Sequence, residues 1–145
     1  SQQSVRLLLD GSGSMNYAEG NVSRLAYAKL MLASLAYVAH RQGDPLSLYV
    51  FRHGQLESLV PPGARAFQQV LARLERAEAA GPWQNEQPQF PALWTKQREL
   101  LIMVSDFLQV NDEWLTVVKT LAGPRRNVAL LQLLGDEEID FSLTG

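Results

Sequence analysis

Short, mostly apolar runs recur along the chain and alternate with longer segments of helical spacing. Val5-Arg6-Leu7-Leu8-Leu9 is the first run, stopped by Asp10-Gly11, and it predicts a buried strand. A Gly/Ser/Asn loop follows, after which Ser23 is placed to cap a helix from Arg24 to Gln42. Between Leu25 and Ala39 almost every position is apolar or small, which predicts a helix buried on most sides rather than an amphipathic one. Gly43 ends it and Pro45 prevents its return. Leu46 to Phe51 predicts a second strand and Gln55 to Val60 a third, joined by a tight turn at His53-Gly54 and stopped by Pro61-Pro62. So short a connection implies an antiparallel hairpin.

Phe67, Val70, Leu71 and Leu74 fall at i, i+3, i+4 and i+7, the spacing of an amphipathic helix with its charges outward. Gly81 to Pro91 is polar and reads as a loop, and Ala92 to Arg98 as a short helix. Leu100-Leu101-Ile102-Met103-Val104 is the most strand-like run and ends at Ser105-Asp106. Trp114, Val117, Val118 and Leu121 repeat the helical spacing, closed by Gly123-Pro124. Asn127 to Leu134 is a further buried strand, and Ile139 to Leu143 is strand-like. Strands apolar throughout, alternating with helices, define an α/β class. The expected architecture is an open, doubly wound, mostly parallel sheet with one antiparallel edge strand and helices on both faces.

Composition narrows the function more than the fold. At 145 residues the chain has the length of one domain, 1–145, and it carries a formal net charge of −2. No global positive field gathers nucleic acid, and the one arginine doublet, Arg125-Arg126, sits in a turn-like stretch, so a nucleic-acid partner is disfavoured. The absence of cysteine excludes a disulfide framework, a thiolate zinc site and a cysteine nucleophile. The longest apolar stretch, Leu25 to Ala39, is interrupted by Lys29 and Ser34 and is too short to span a bilayer, so no membrane contact is expected of this segment itself. A chain that starts almost on a strand and ends on another reads as one domain of a longer protein.

The chemistry is expected beyond the carboxyl ends of the strands, where the order of an open α/β sheet reverses. Two strands end there in an acid, at Asp10 and Asp106. If they are neighbours, their carboxylates repel unless a cation lies between them. Ser12 and Ser14 share the loop after Asp10, and the intervening Gly11 and Gly13 let it fold tightly enough to aim both hydroxyls at one point. Carboxylates and hydroxyls without sulfur or imidazole suit a hard divalent ion, Mg²⁺ or Mn²⁺, rather than zinc. The blander reading, a turn made of turn-favouring residues, accounts for the loop but not for its position after a buried strand. Ser12 or Ser14 as a nucleophile lacks a general base. His40 and His53 have no partner at metal-ligand spacing and read as structural, as do Trp94 and Trp114; Trp83, in the polar loop, is the aromatic most available to a partner.

The Asp-x-Ser-x-Ser pattern resembles the metal-ion-dependent adhesion site of von Willebrand factor A-like domains. Met15 after the motif, the buried helix, Gln42-Gly43-Asp44 before the second strand and Val104-Ser105-Asp106-Phe107 ending the central one extend the match. Arg98 before the central strand and Asp136-Glu137-Glu138 after the last buried one make it most similar to the bacterial MoxR-associated group, domain of unknown function 58. The resemblance implies a von Willebrand factor A, Rossmann-like fold. It makes Asp10, Ser12 and Ser14 first-loop ligands and Asp106 the third-loop acid. One feature departs from the family pattern. Its second-loop threonine falls, by gap-free counting, at Pro82, which offers no side-chain oxygen; Gln84 and Asn85 are the nearest substitutes.

What this implies is a non-enzymatic interaction module whose cation is completed by a partner protein's carboxylate. MoxR-type AAA+ ATPases are the implied partner system, and a cytoplasmic domain of a membrane-anchored parent the implied setting. Two alternatives accompany it. One is a metal-free protein-binding scaffold of the same fold. The other is a Mg²⁺-dependent phosphotransferase with Asp10 as nucleophile, although such enzymes carry a second acid where this chain has Ser12.

Overall fold

A computed structural model describes residues 3–19, 22–53, 55–63, 65–79, 98–106, 126–134 and 138–144. In chain order its main elements are β1 (Gln3–Asp10), β2 (Ala18–Glu19), β3 (Val22–Ser23), α1 (Arg24–Arg41), β4 (Leu46–Arg52), β5 (Gln55–Gly63), α2 (Ala66–Arg76), β6 (Arg98–Ser105), β7 (Arg126–Leu134) and β8 (Glu138–Thr144). Six strands form one sheet in the order β5-β4-β1-β6-β7-β8, and β2 and β3 pair separately as a small antiparallel hairpin. The four inner strands are mutually parallel. β5 is the expected antiparallel edge strand, and β8, antiparallel to β7, forms a second one at the other edge. With only residues 135–137 between β7 and β8, no crossover to a parallel position is possible.

Alternation along each strand separates two buried faces. On one, Val5, Leu7, Leu9, Leu48, Val50, Ile102, Val104 and Leu131 form a core with Leu32 and Ala36 of α1 and Val70 and Leu74 of α2. On the other, Leu8, Tyr49, Phe51, Leu101, Met103 and Leu130 are equally buried. The helices expected over residues 92–97 and around Trp114 to Leu121 lie outside the described residues, as do Trp83, Trp94 and Trp114. Arg98, assigned above to the end of a helix, opens β6 instead.

Helix α1 differs from its expected burial. Leu25, Ala28, Leu32, Ala36 and Ala39 face the core, whereas Leu30, Tyr37 and Val38 are exposed. The apolar content is high all round, but the sheet and α2 offer surface to only one stripe. Ser23 caps its start by accepting from the Ala26 N–H at 3.1 Å. Its end turns at Gly43, with φ 76°, which presents the Gly43 and Asp44 N–H groups to His40 O and Ala39 O.

β5 also runs past its expected stop, through Pro61 and Pro62 to Gly63. An edge strand tolerates one outward-facing proline because that N–H position needs no ladder partner, and the irregular register against β4 between the Val60 and Gly63 pairings accommodates its neighbour. His53 turns the hairpin with φ 55°, and His40 stacks on Phe67 at 4.6 Å, so both histidines have structural surroundings. Arg126 is not in a turn. It opens β7 and pairs with Glu99, which also binds Arg6 in the buried half of the sheet, at 2.9 and 3.0 Å respectively.

Candidate functional site

The chain crosses from β1 to β4 on one side and later to β6 on the other, so the order reverses at β1, next to β6. Leu9 pairs with Val104, which brings Asp10 and Ser105 to the same edge, with Asp106 one residue beyond. The strand endings thus place both expected acids at the switch point.

The loop after β1 is fixed by close packing. The Gly11 N–H donates to Phe51 O at 2.7 Å, and a Cβ on Gly11 would meet Val50 Cγ2 at 2.8 Å and Phe51 O at 3.1 Å. Only glycine fits so close to β4. A 3₁₀ turn over Gly13–Asn16 then buries Met15 completely, which anchors the loop to the core. These contacts turn Ser12 and Ser14 back over the sheet edge.

Asp10, Ser12 and Asp106 are almost wholly buried, and Ser14 is half-buried. The Ser12 N–H donates to Asp10 Oδ1 at 2.9 Å, and the Ser105 hydroxyl donates to Asp10 Oδ2. Ser12 Oγ and Ser14 Oγ lie 3.4 Å apart, and Ser14 Oγ donates to Asp106 Oδ1 at 3.2 Å. All four expected residues, Asp10, Ser12, Ser14 and Asp106, therefore converge. Burial pushes the Asp10 carboxyl above its ordinary value, with Asp106 adding to the rise, while hydrogen bonds from Ser105 and Ser12 oppose it.

Two residues join the site that the motif alone did not mark. Ser105 is one. Arg24 is the other: its Nη1 lies 3.2 Å from Asp106 Oδ2, and its guanidinium stacks over the Tyr17 ring, 4.5 Å from the centroid. A cation in the first turn of a helix opposes the helix dipole, and that misplacement was the available signal in the sequence. Pro82, Gln84 and Asn85 lie outside the described residues.

Asp10, Ser12, Ser14 and Asp106 fit a hard divalent ion, because the side-chain atoms they bring together are all oxygen and two of the four groups are carboxylates, with the Arg24 guanidinium as the one nitrogen-bearing neighbour, on Asp106 Oδ2. Among the described residues no group of three or more His, Cys, Asp or Glu is placed to hold a metal, so an ion here would rest on the two acids with the hydroxyls. Such an ion would supply a Lewis-acidic centre for an incoming anionic oxygen.

A six-stranded α/β sheet with this loop at its switch point is a von Willebrand factor A-like fold, and solved structures agree. The chain is similar to the conserved hypothetical protein BatB of Bacteroides thetaiotaomicron, at a TM-score of 0.68 and 19% identity over 98% of this chain and 80% of that one. It is similar to an aerotolerance-related membrane protein of Bacteroides fragilis, at 0.67 and 14%, over 98% and 81%. The SpRpn10 VWA domain aligns at 0.52 and 7%, over 94% and 92%. By its own sequence the chain belongs to the DUF58 family, proteins of unknown function, whose model matches residues 1–142. A search of the curated proteins found no match. Among the described residues no helix is long and apolar enough to cross a membrane.

Proposed function

We propose that this domain is a non-enzymatic protein-interaction module. Asp10, Ser12, Ser14 and Asp106 would hold Mg²⁺ or Mn²⁺, and the ion would recognise a carboxylate of a partner protein. The observation that carries this reading is the convergence of two buried acids and two serine hydroxyls on one edge of the sheet. Two carboxylates that repel each other bind a divalent ion at a gain in stability of the site, and a half-buried rim leaves a position for an external oxygen. The partner system proposed is that of the MoxR-type AAA+ ATPases. The proposed setting is a cytoplasmic domain of a membrane-anchored parent; the solved structure of similar fold described as an aerotolerance-related membrane protein fits the membrane anchor and does not bear on the side.

A metal-free scaffold is the second reading, favoured by the Arg24–Asp106 ion pair, which already neutralises one acid. Thermal melts separate the two. Under the cation reading, Mn²⁺ at about a hundredfold excess over Kd adds about 2.7 kcal/mol, a rise of several degrees in Tm, and Asp10→Ala abolishes it. Identical melts in EDTA and in Mn²⁺ would leave only the scaffold.

A further inference from the structure

Arg24 stands where helix electrostatics disfavours a cation. It is the first residue of α1, whose N-terminal end carries partial positive charge. The guanidinium is nevertheless held in place. Nη1 donates to Asp106 Oδ2 at 3.2 Å, the Tyr17 ring lies beneath it, and the Arg24 N–H donates to Tyr17 O at 2.9 Å, tying the two residues together at the mouth of the β2–β3 hairpin. Arg24 is 19% exposed and Asp106 only 1%, so the arginine forms the rim of the site and the acid its floor. The two oxygens of Asp106 are thereby divided. Oδ1 faces Ser14 and the serine loop, while Oδ2 faces Arg24.

This arrangement changes the charge of the site. Asp10 and Asp106, both ionised, with a divalent ion sum to zero. With Arg24 counted, the loaded site carries +1, which one carboxylate neutralises.

We propose that Arg24 sets the ligand preference of the site: it holds Asp106 through Oδ2, weakens divalent-ion binding, and leaves the loaded site with one net positive charge that selects an acidic group. The inference rests on the cation reading above and adds to it the residue that makes the loaded site favour an anion. Both effects come from one charge, so removing it must move them in opposite directions.

The test is a Mn²⁺ titration of the full chain followed by electron paramagnetic resonance of free Mn²⁺, then an acetate titration of the loaded protein followed by water-proton relaxation. Arg24→Gln removes a charge that the helix terminus disfavours, so the fold is kept. It is expected to bind Mn²⁺ about fivefold to tenfold tighter than the wild type and, once loaded, to bind acetate several-fold more weakly. Arg24→Lys, which keeps the charge, stays near the wild type on both readouts. If Arg24→Gln binds Mn²⁺ no tighter, or the loaded proteins take acetate equally, the assignment of Arg24 is overturned while the cation site stands. If neither protein binds Mn²⁺, the cation reading falls and this inference falls with it.

Discussion

At the scale of single residues, Asp10 is where the fold and the proposed cation site make opposite demands on one buried carboxyl. Its carboxyl is buried at the end of β1 and its pKa lies above the ordinary 3.8. Between that value and the raised one, the folded protein binds more protons than the unfolded chain, so stability falls as pH rises through this window. Asp10→Asn removes the ionisable group and keeps an oxygen for the Ser12 N–H. In EDTA the variant is expected to melt above the wild type at about pH 7, with the gap closing as the pH falls towards about 4. A variant that melts below the wild type at neutral pH would contradict this account. Asp10 and Asp106 were legible in the sequence because each ends an apolar run. The pairings of Arg24 and Ser105 were not, because their partners Asp106 and Asp10 lie 82 and 95 positions away, and only strand order brings them together.

At the scale of elements, apolar composition and actual contact diverge most in α1. The run from Leu25 to Ala39 reads as buried on most sides, yet Leu32 is fully buried while Leu30 is 65% exposed. Small residues on the inner stripe, Ala28, Ala36 and Ala39, let the helix lie close to the sheet, and nothing among the described residues covers its outer side. Leu32→Ala is therefore expected to cost about 2–5 kcal/mol. Leu30→Ala should stay within about 0.5 kcal/mol of the wild type, and urea denaturation of both distinguishes the two faces. Helix α2 was legible for the opposite reason: its charged positions leave a single apolar stripe, from which Val70 and Leu74 are buried together with Ala66 at its start. The proline stop assigned to the third strand failed because a proline ends a central strand but not an outward edge.

At the scale of the whole molecule, the parallel sheet was legible from strands apolar on both faces, whereas its order was not. Nothing in local sequence places β6 beside β1, and the site exists only because it lies there. One network binds that order together at the end of the sheet away from the site. Arg6 on β1, Glu99 on β6 and Arg126 on β7 form a chain of ion pairs at 3.0 and 2.9 Å, with the Tyr49 hydroxyl of β4 also bonded to Arg6. Arg6 and Glu99 are 3% and 4% exposed. Removing the shared acid leaves a buried guanidinium uncompensated, so Glu99→Ala is expected to cost about 3–5 kcal/mol in urea unfolding. A loss under about 1 kcal/mol would show that water reaches the pair and screens it.

The prolines of β5 have a consequence for how the molecule behaves among copies of itself. A sheet's outermost strand normally offers a row of unpaired amide hydrogens on which another chain can align and extend the sheet. Pro61 and Pro62 have no amide hydrogen to offer, and the register against β4 is irregular beside them. At that end of β5 the border of the sheet is closed to strand addition, so a neighbour must meet the molecule through side chains rather than by extending its backbone ladder there.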